Sequence, residues 1–175
     1  MSKTEENLRK GFAGESQARN KYIYFAKVAR KEGFHYIAKI FEETAENEVQ
    51  HAKDQLKLVN GIGNTETNLV DAVKGEEYEN SEMYPSFVKD AEEEGDMKAA
   101  KLFKNICKVE KEHEKRFRAL LDMVKSGTVF KREQEIEWKC SKCGYVHTGK
   151  EAPEVCPSCK HPQEYFEPKC MCFDE

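Results

Sequence analysis

Two Glu-x-x-His tetrads, Glu48–His51 and Glu110–His113, stand 62 residues apart in this chain. Residues three apart on a helix share a face, so each tetrad would point a carboxylate and an imidazole the same way. An acid leads each of them. Glu15 precedes Glu48 by 33 residues and Glu79 precedes Glu110 by 31, as though one metal-binding hairpin were written twice. Paired carboxylates with one imidazole per ion suit iron or manganese, whereas structural zinc takes four ligands and favours thiolates. Charged groups on the apolar face of a helix are costly unless paired or bound to a cation, so the doubled motif points to a metal pair rather than a solvated surface.

A second chemistry follows. Cys140-Ser-Lys-Cys143 and Cys156-Pro-Ser-Cys159 are two tight knuckles separated by twelve residues. Four thiolates in that pattern converge tetrahedrally on zinc or on a single iron. The spacing alone leaves a zinc ribbon and an iron centre both open. Trp138, Tyr145, Tyr165 and Phe166 supply a small core for either.

The elements that must carry these residues are legible in the apolar periodicity. Leu8, Phe12, Glu15, Ala18, Tyr22, Phe25 and Ala29 form one stripe of a first helix, Thr4 to Lys31, stopped by Gly33. A second helix runs to about Asn60, with Ile37, Phe41, Thr44 and Leu58 around Glu48 and His51. Residues 61–75 read as a crossover with at most a short helix over Leu69–Lys74. A third helix over Glu76–Glu94 contains Pro85, which must kink it or remove one backbone bond. Gly95 and Asp96 are a stop and an N-cap, and a fourth helix reaches Lys125. Glu82 is a further candidate ligand three residues after Glu79. Glu76 lies three before it, and periodicity alone does not choose between the pairs Glu76/Glu79 and Glu79/Glu82. Residues 128–137 read as a linker, giving a helical domain over 1–137 and a cysteine module over 138–175.

Composition narrows the function classes. Of 175 residues, 35% are charged, the formal net charge is −4 and both signs are interspersed. Mean hydropathy is −0.84. No basic face offers itself to nucleic acid and no amphipathic basic stretch to a membrane. No apolar run approaches the roughly 18 residues of a spanning helix. The charged N-terminus lacks an apolar signal core. With seven cysteines, four of them in ligand spacing, a reducing, cytoplasmic setting is expected rather than a disulfide scaffold. Cys107 reads as a small apolar core residue. Cys170 and Cys172, near the C-terminus, fall outside both knuckles.

With both motifs in view, the chain resembles the rubrerythrin family along essentially its whole length. The residues that carry the likeness are Phe12-Ala-Gly-Glu15-Ser, Glu48-x-x-His51-Ala, Gly75-Glu-Glu-Tyr-Glu79-x-x-Glu82-Met-Tyr-Pro85, Glu110-x-x-His113 and the four knuckle cysteines. The resemblance implies a mainly α protein: a ferritin-like four-helix bundle followed by a small rubredoxin-like domain. It implies a non-haem di-iron centre with Glu48 and Glu110 as bridges, Glu15 and Glu79 as terminal ligands, and His113 on one iron. The other iron would exchange between His51 and Glu82 with oxidation state. It also implies one mononuclear iron on Cys140, Cys143, Cys156 and Cys159. The activity implied is reduction of hydrogen peroxide to water by a homodimer or higher homo-oligomer. Electrons would come from a separate NAD(P)H-linked reductase or a rubredoxin. A ferroxidase or iron-storage role is the alternative; storage, however, has no need of a fused electron-transfer module. The Cys170-x-Cys172 tail is not part of the family motif.

Overall fold

The computed structural model describes residues 1–170. They form two compact units, Met1–Gly63 and a second from Asn64 onward. The protein is mainly α-helical, with a small three-stranded sheet near its C-terminus.

The first unit is a helical hairpin of α1 (Lys3–Lys31) and α2 (His35–Leu58). Ser2 starts it as a side-chain cap, its Oγ accepting the Glu5 amide at 3.1 Å. Gly33, at φ +88°, turns the chain, and the Phe34 amide closes on the Ala29 carbonyl at 2.8 Å. Ala26, Ala29, Ala38, Ala45 and Ala52 are buried, an alanine seam that lets the two backbones approach closely. Tyr22, Phe25 and Phe41 pack ring against ring beside it, with centroids 5.6 to 6.4 Å apart.

The second unit opens with α3 (Thr65–Tyr78). This corrects the expected crossover: only residues 59–64 lie between helices. Asn64 explains the early start, because its side chain accepts the Thr67 amide at 2.9 Å and caps the helix. A single π turn (Glu79–Met83) joins α3 to α4 (Tyr84–Glu93). Pro85 falls in the first turn of α4, where a missing amide costs nothing. After Gly95, at φ +79°, Asp96 caps α5 (Met97–Ser126) by accepting the amides of Lys98 and Ala99. Tyr84, Phe87 and Phe103 form a second ring cluster, with centroids 5.5 to 6.2 Å apart. Gly127 ends α5 in the left-handed conformation.

Strand β1 (Lys131–Cys140) begins inside the segment expected to be a linker. It pairs antiparallel with β2 (Val146–Glu151) on one side and β3 (Phe166–Pro168) on the other. The Lys131–Glu151 pair, 3.2 Å between charged atoms, marks its far end. Trp138, Cys140, Ala152, Cys156 and Phe166 make the core of this module. The Trp138 indole donates to the Gly149 carbonyl at 3.0 Å, so its one polar group is satisfied. Among the described residues no helix is long and apolar enough to cross a membrane.

Candidate metal centres

Each knuckle in the cysteine module closes by the same device. The Gly144 amide donates to the Cys140 carbonyl at 2.8 Å, and the Lys160 amide donates to the Cys156 carbonyl at 2.9 Å. Gly144 and Lys160 both have positive φ, which turns the two loops toward each other. The sulfur pairs Cys140–Cys159 and Cys143–Cys156 each stand 3.7 Å apart. A disulfide would bring two sulfurs to about 2 Å. A tetrahedron of metal–sulfur bonds of about 2.3 Å holds neighbouring sulfurs about 3.8 Å apart. The four thiols therefore already have the spacing of a metal tetrahedron. Cys140 and Cys156 are buried, and Cys143 is exposed.

Their protonation supports the same fit. A hydrogen bond from the Tyr145 backbone amide, with help from the Cys159 thiol, lowers the Cys143 pKa to about 6. The His161 backbone amide pulls Cys159 down too. Burial and the thiols of Cys143, Cys156 and Cys140 outweigh it and push Cys159 up to about 12. One thiolate forms readily and the next is opposed by it, so only a cation lets all four ionise together.

Two further groups lie in the helices. Glu15, Glu48 and His51 in the first hairpin bring one ligand atom each within 4.8 Å of one another, and Glu76, Glu110 and His113 do so in the second unit. His51 Nδ1 is 2.7 Å from Glu48 Oε2, and His113 Nδ1 is 2.7 Å from Glu110 Oε2. The side chains of Glu48 and Glu110 are each 14% exposed, and His51 is 58% exposed.

The structure thus brings together Glu15, Glu48 and His51, and likewise Glu110 and His113. The acid grouped with Glu110 and His113 is Glu76, whereas Glu79 and Glu82, the terminal and exchanging ligands that the resemblance implies, are not in that group. Glu76 Oε2 lies 3.6 Å from His113 Nδ1. Burial, then the neighbouring Glu110 carboxylate, raises the Glu76 pKa above the usual carboxylate range. Glu79 is half-buried on the same side. Burial raises the Tyr84 hydroxyl pKa, and the charges of Glu79, Glu110 and Glu76 add to that, which puts all three acids near one phenol. Glu82 is exposed and outside the group.

The π turn accounts for the difference. Tyr22, Phe25, Phe41, Glu48 and His51 recur 62 residues later as Tyr84, Phe87, Phe103, Glu110 and His113. A π turn inserts one residue into a helix, and this one lies just before Tyr84, so the offset ahead of it becomes 61. Glu15 then matches Glu76, and the first hairpin has no acid matching Glu79. A straight α-helical count placed Glu82 on the face of Glu79; the wide turn rotates it away. The recurrence of the aromatic triplet was the available signal for this register.

Of the other singled-out residues, Cys107 is half-buried and donates through Sγ to the Asn80 carbonyl at 3.2 Å. Tyr22 belongs to the first ring cluster. Cys170 is exposed, and Cys172 lies outside the described residues.

The fold and these three groups define a helical carboxylate–imidazole metalloprotein fused to a four-thiolate module. Residues 6–121 match the model of the rubrerythrin family, and residues 138–167 match that of the rubrerythrin rubredoxin-like domain. The chain is 50% identical to a rubrerythrin of Porphyromonas gingivalis, the alignment covering 95% of this chain and 90% of that one. It is 49% identical to rubrerythrin-1 of Clostridium acetobutylicum, over 95% and 94% of the two chains. A solved structure of nigerythrin in a partially reduced state is 34% identical over 96% of this chain and 87% of that one, with a TM-score of 0.38. The chain belongs to the rubrerythrin family. It is an oxidoreductase with a ferritin-like Glu/His di-iron domain and a rubredoxin-like four-cysteine site.

Proposed function

We propose that the chain reduces hydrogen peroxide to water, with electrons passed from the thiolate centre to the di-iron centre. The observation that carries this is the presence of two different ligand sets in one chain: a doubled carboxylate–imidazole group and a four-thiolate site with the spacing of a metal tetrahedron. The balance is one peroxide, two electrons and two protons giving two waters. Bound iron would supply the two electrons and the Lewis acidity that stabilises developing charge on oxygen.

The residues divide the remaining work. Glu48 and Glu110, each paired with a histidine one turn on, would each hold metal in this reading, with Glu15 beside the first and Glu76 beside the second. His51 and His113 would each hold a metal, with Glu79 available as a further carboxylate. Glu82 has no role in this assignment. Tyr84 stands beside Glu76, Glu79 and Glu110, close enough to feel their charge. Burial and the Glu110 charge raise the Glu76 pKa in the metal-free protein, an opposition to ionisation that a bound cation would relieve. Large exposed apolar side chains such as Tyr24, Val28, Leu102 and Val109 support a homodimer or larger homo-oligomer.

The chain carries no nucleotide-binding fingerprint, so a separate reductase would oxidise NAD(P)H and pass its electrons to this chain directly or through a rubredoxin. A cytoplasmic setting fits four thiols that must stay reduced to bind iron. The test is peroxide-dependent NADH oxidation in the presence of a reductase. Cys143→Ser should stop steady turnover while a chemically prereduced sample still consumes peroxide once. Undiminished steady turnover in that variant would remove the thiolate site from the electron path.

A further inference from the structure

The π turn is where the second hairpin departs from the first, and α5 grips it through a single residue. Asn80 donates from Nδ2 to the Glu76 carbonyl at 2.6 Å and to Glu114 Oε2 at 2.8 Å. Its own carbonyl accepts from Cys107 Sγ at 3.2 Å. Arg118 Nε holds Glu114 from the other side at 2.7 Å, and Arg118 Nη2 lies 3.1 Å from Glu77. Cys107 stands three residues before Glu110 and Glu114 four after it, so both share the face of α5 that carries Glu110. The strap joins the two helices at the height of the metal ligands.

A π turn shifts the backbone ladder, and a buried carbonyl that loses its regular donor needs another. The Asn80 carbonyl, inside this turn, accepts from Cys107 Sγ, and the Glu76 carbonyl just ahead of it accepts from both the Glu79 amide and the Asn80 side chain. If this segment relaxed to plain α-helix, the inserted residue would be absorbed. Everything ahead of it would then rotate by about 100° relative to α4, the angle per residue at 3.6 residues per turn. That rotation would carry the Glu76 carboxylate away from Glu110 and His113.

We propose that Asn80, anchored on α5 by Glu114 and Cys107, is a positioning residue for the metal centre: it locks the π turn and so fixes Glu76 and Glu79 toward Glu110. This rests on reading Glu76, Glu110 and His113 as part of that centre. Residues that orient metal ligands typically contribute about 10- to 100-fold in metal affinity.

The test uses the full chain with its four-cysteine site filled by zinc, titrated with cobalt(II), whose visible ligand-field bands report the remaining sites. Asn80→Asp keeps the size but cannot donate to the Glu76 carbonyl, and Asn80→Leu removes both donors. Both should weaken cobalt binding about ten-fold or more and shift the bands. Glu114→Gln, which retains an acceptor for Asn80, should stay close to the unsubstituted protein. Each variant is measured at a temperature where its far-ultraviolet helix signal is intact, and Glu114→Leu replaces any variant that does not fold. Unchanged cobalt affinity and bands, even with a lowered melting temperature, would make the strap a packing staple and overturn the proposal. Glu110→Ala is the control for the underlying reading. If it too binds cobalt as the unsubstituted protein does, the metal-centre assignment fails rather than the strap.

Discussion

Glu76 on α3 and His113 on α5 approach to 3.6 Å across the second hairpin, completing a group whose other acid, Glu110, lies 2.7 Å from the same imidazole. The corresponding group in the first hairpin is Glu15, Glu48 and His51. The two are related by a repeat that slips by one residue at the π turn, and this slip decides which acid of the Glu76, Glu79, Glu82 series joins Glu110 and His113.

Substitutions in that series should separate sharply. Glu76→Ala should lower iron retained by the helical domain by about ten-fold or more in affinity, whereas Glu82→Ala, at an exposed position, should leave it unchanged. Iron per chain measured by elemental analysis after desalting, with the thiolate iron counted separately by its colour, checks both. Equal loss from the two variants would restore Glu82 as a ligand.

Metal removal should expose repulsion among these acids. The Glu76 pKa is raised above its ordinary value of 4.5 in the folded state. The folded apoprotein therefore binds more protons than the unfolded chain as pH passes through 4.5 and up to the raised value. Its stability falls as pH rises across that window. The holoprotein should melt above the apoprotein at neutral pH, and acidification toward pH 5 should narrow the gap. Glu76→Gln should raise the neutral-pH melting temperature of the apoprotein, read by circular dichroism.

In the cysteine module, Cys143→Ser should abolish the visible absorption of the thiolate iron and leave the helical far-ultraviolet signal intact. Cys156→Ser should do the same and also loosen the module, since it buries a hydroxyl among Trp138, Cys140, Ala152 and Phe166. An unpartnered buried hydroxyl costs about 1–3 kcal/mol. Tryptophan fluorescence, reporting the one indole in the chain, distinguishes the two variants: it should shift red only for Cys156→Ser.

Much of this architecture is legible in the residues alone. Glycines 33, 95 and 127 mark three helix ends because each must take a positive φ, and Asp96 announces the cap of α5. The knuckle spacing announces a four-thiolate site. Two things were not legible by periodicity. Asn64 was read as part of a crossover because Gly61 and Gly63 precede it, yet its side chain starts α3 at once. The π turn leaves no residue-type signature of its own. Its effect shows only in the change of repeat offset from 62 to 61; a count of 3.6 residues per turn leaves Glu76/Glu79 and Glu79/Glu82 both open, and the family resemblance points to Glu79 and Glu82 where the grouped acid is Glu76.

The central claim, that this chain is a peroxide-reducing enzyme and not an iron store, is tested most directly by stopped-flow reoxidation of the fully reduced protein. Peroxide and dioxygen are compared, with iron per chain measured before and after. Peroxide takes the two electrons that an iron pair holds, so the account predicts faster reoxidation by peroxide, constant iron content, and refilling from the thiolate centre that is lost in Cys143→Ser. Faster reoxidation by dioxygen, with iron accumulating well beyond the ligand sets described, would contradict it and assign the chain to ferroxidase or storage chemistry.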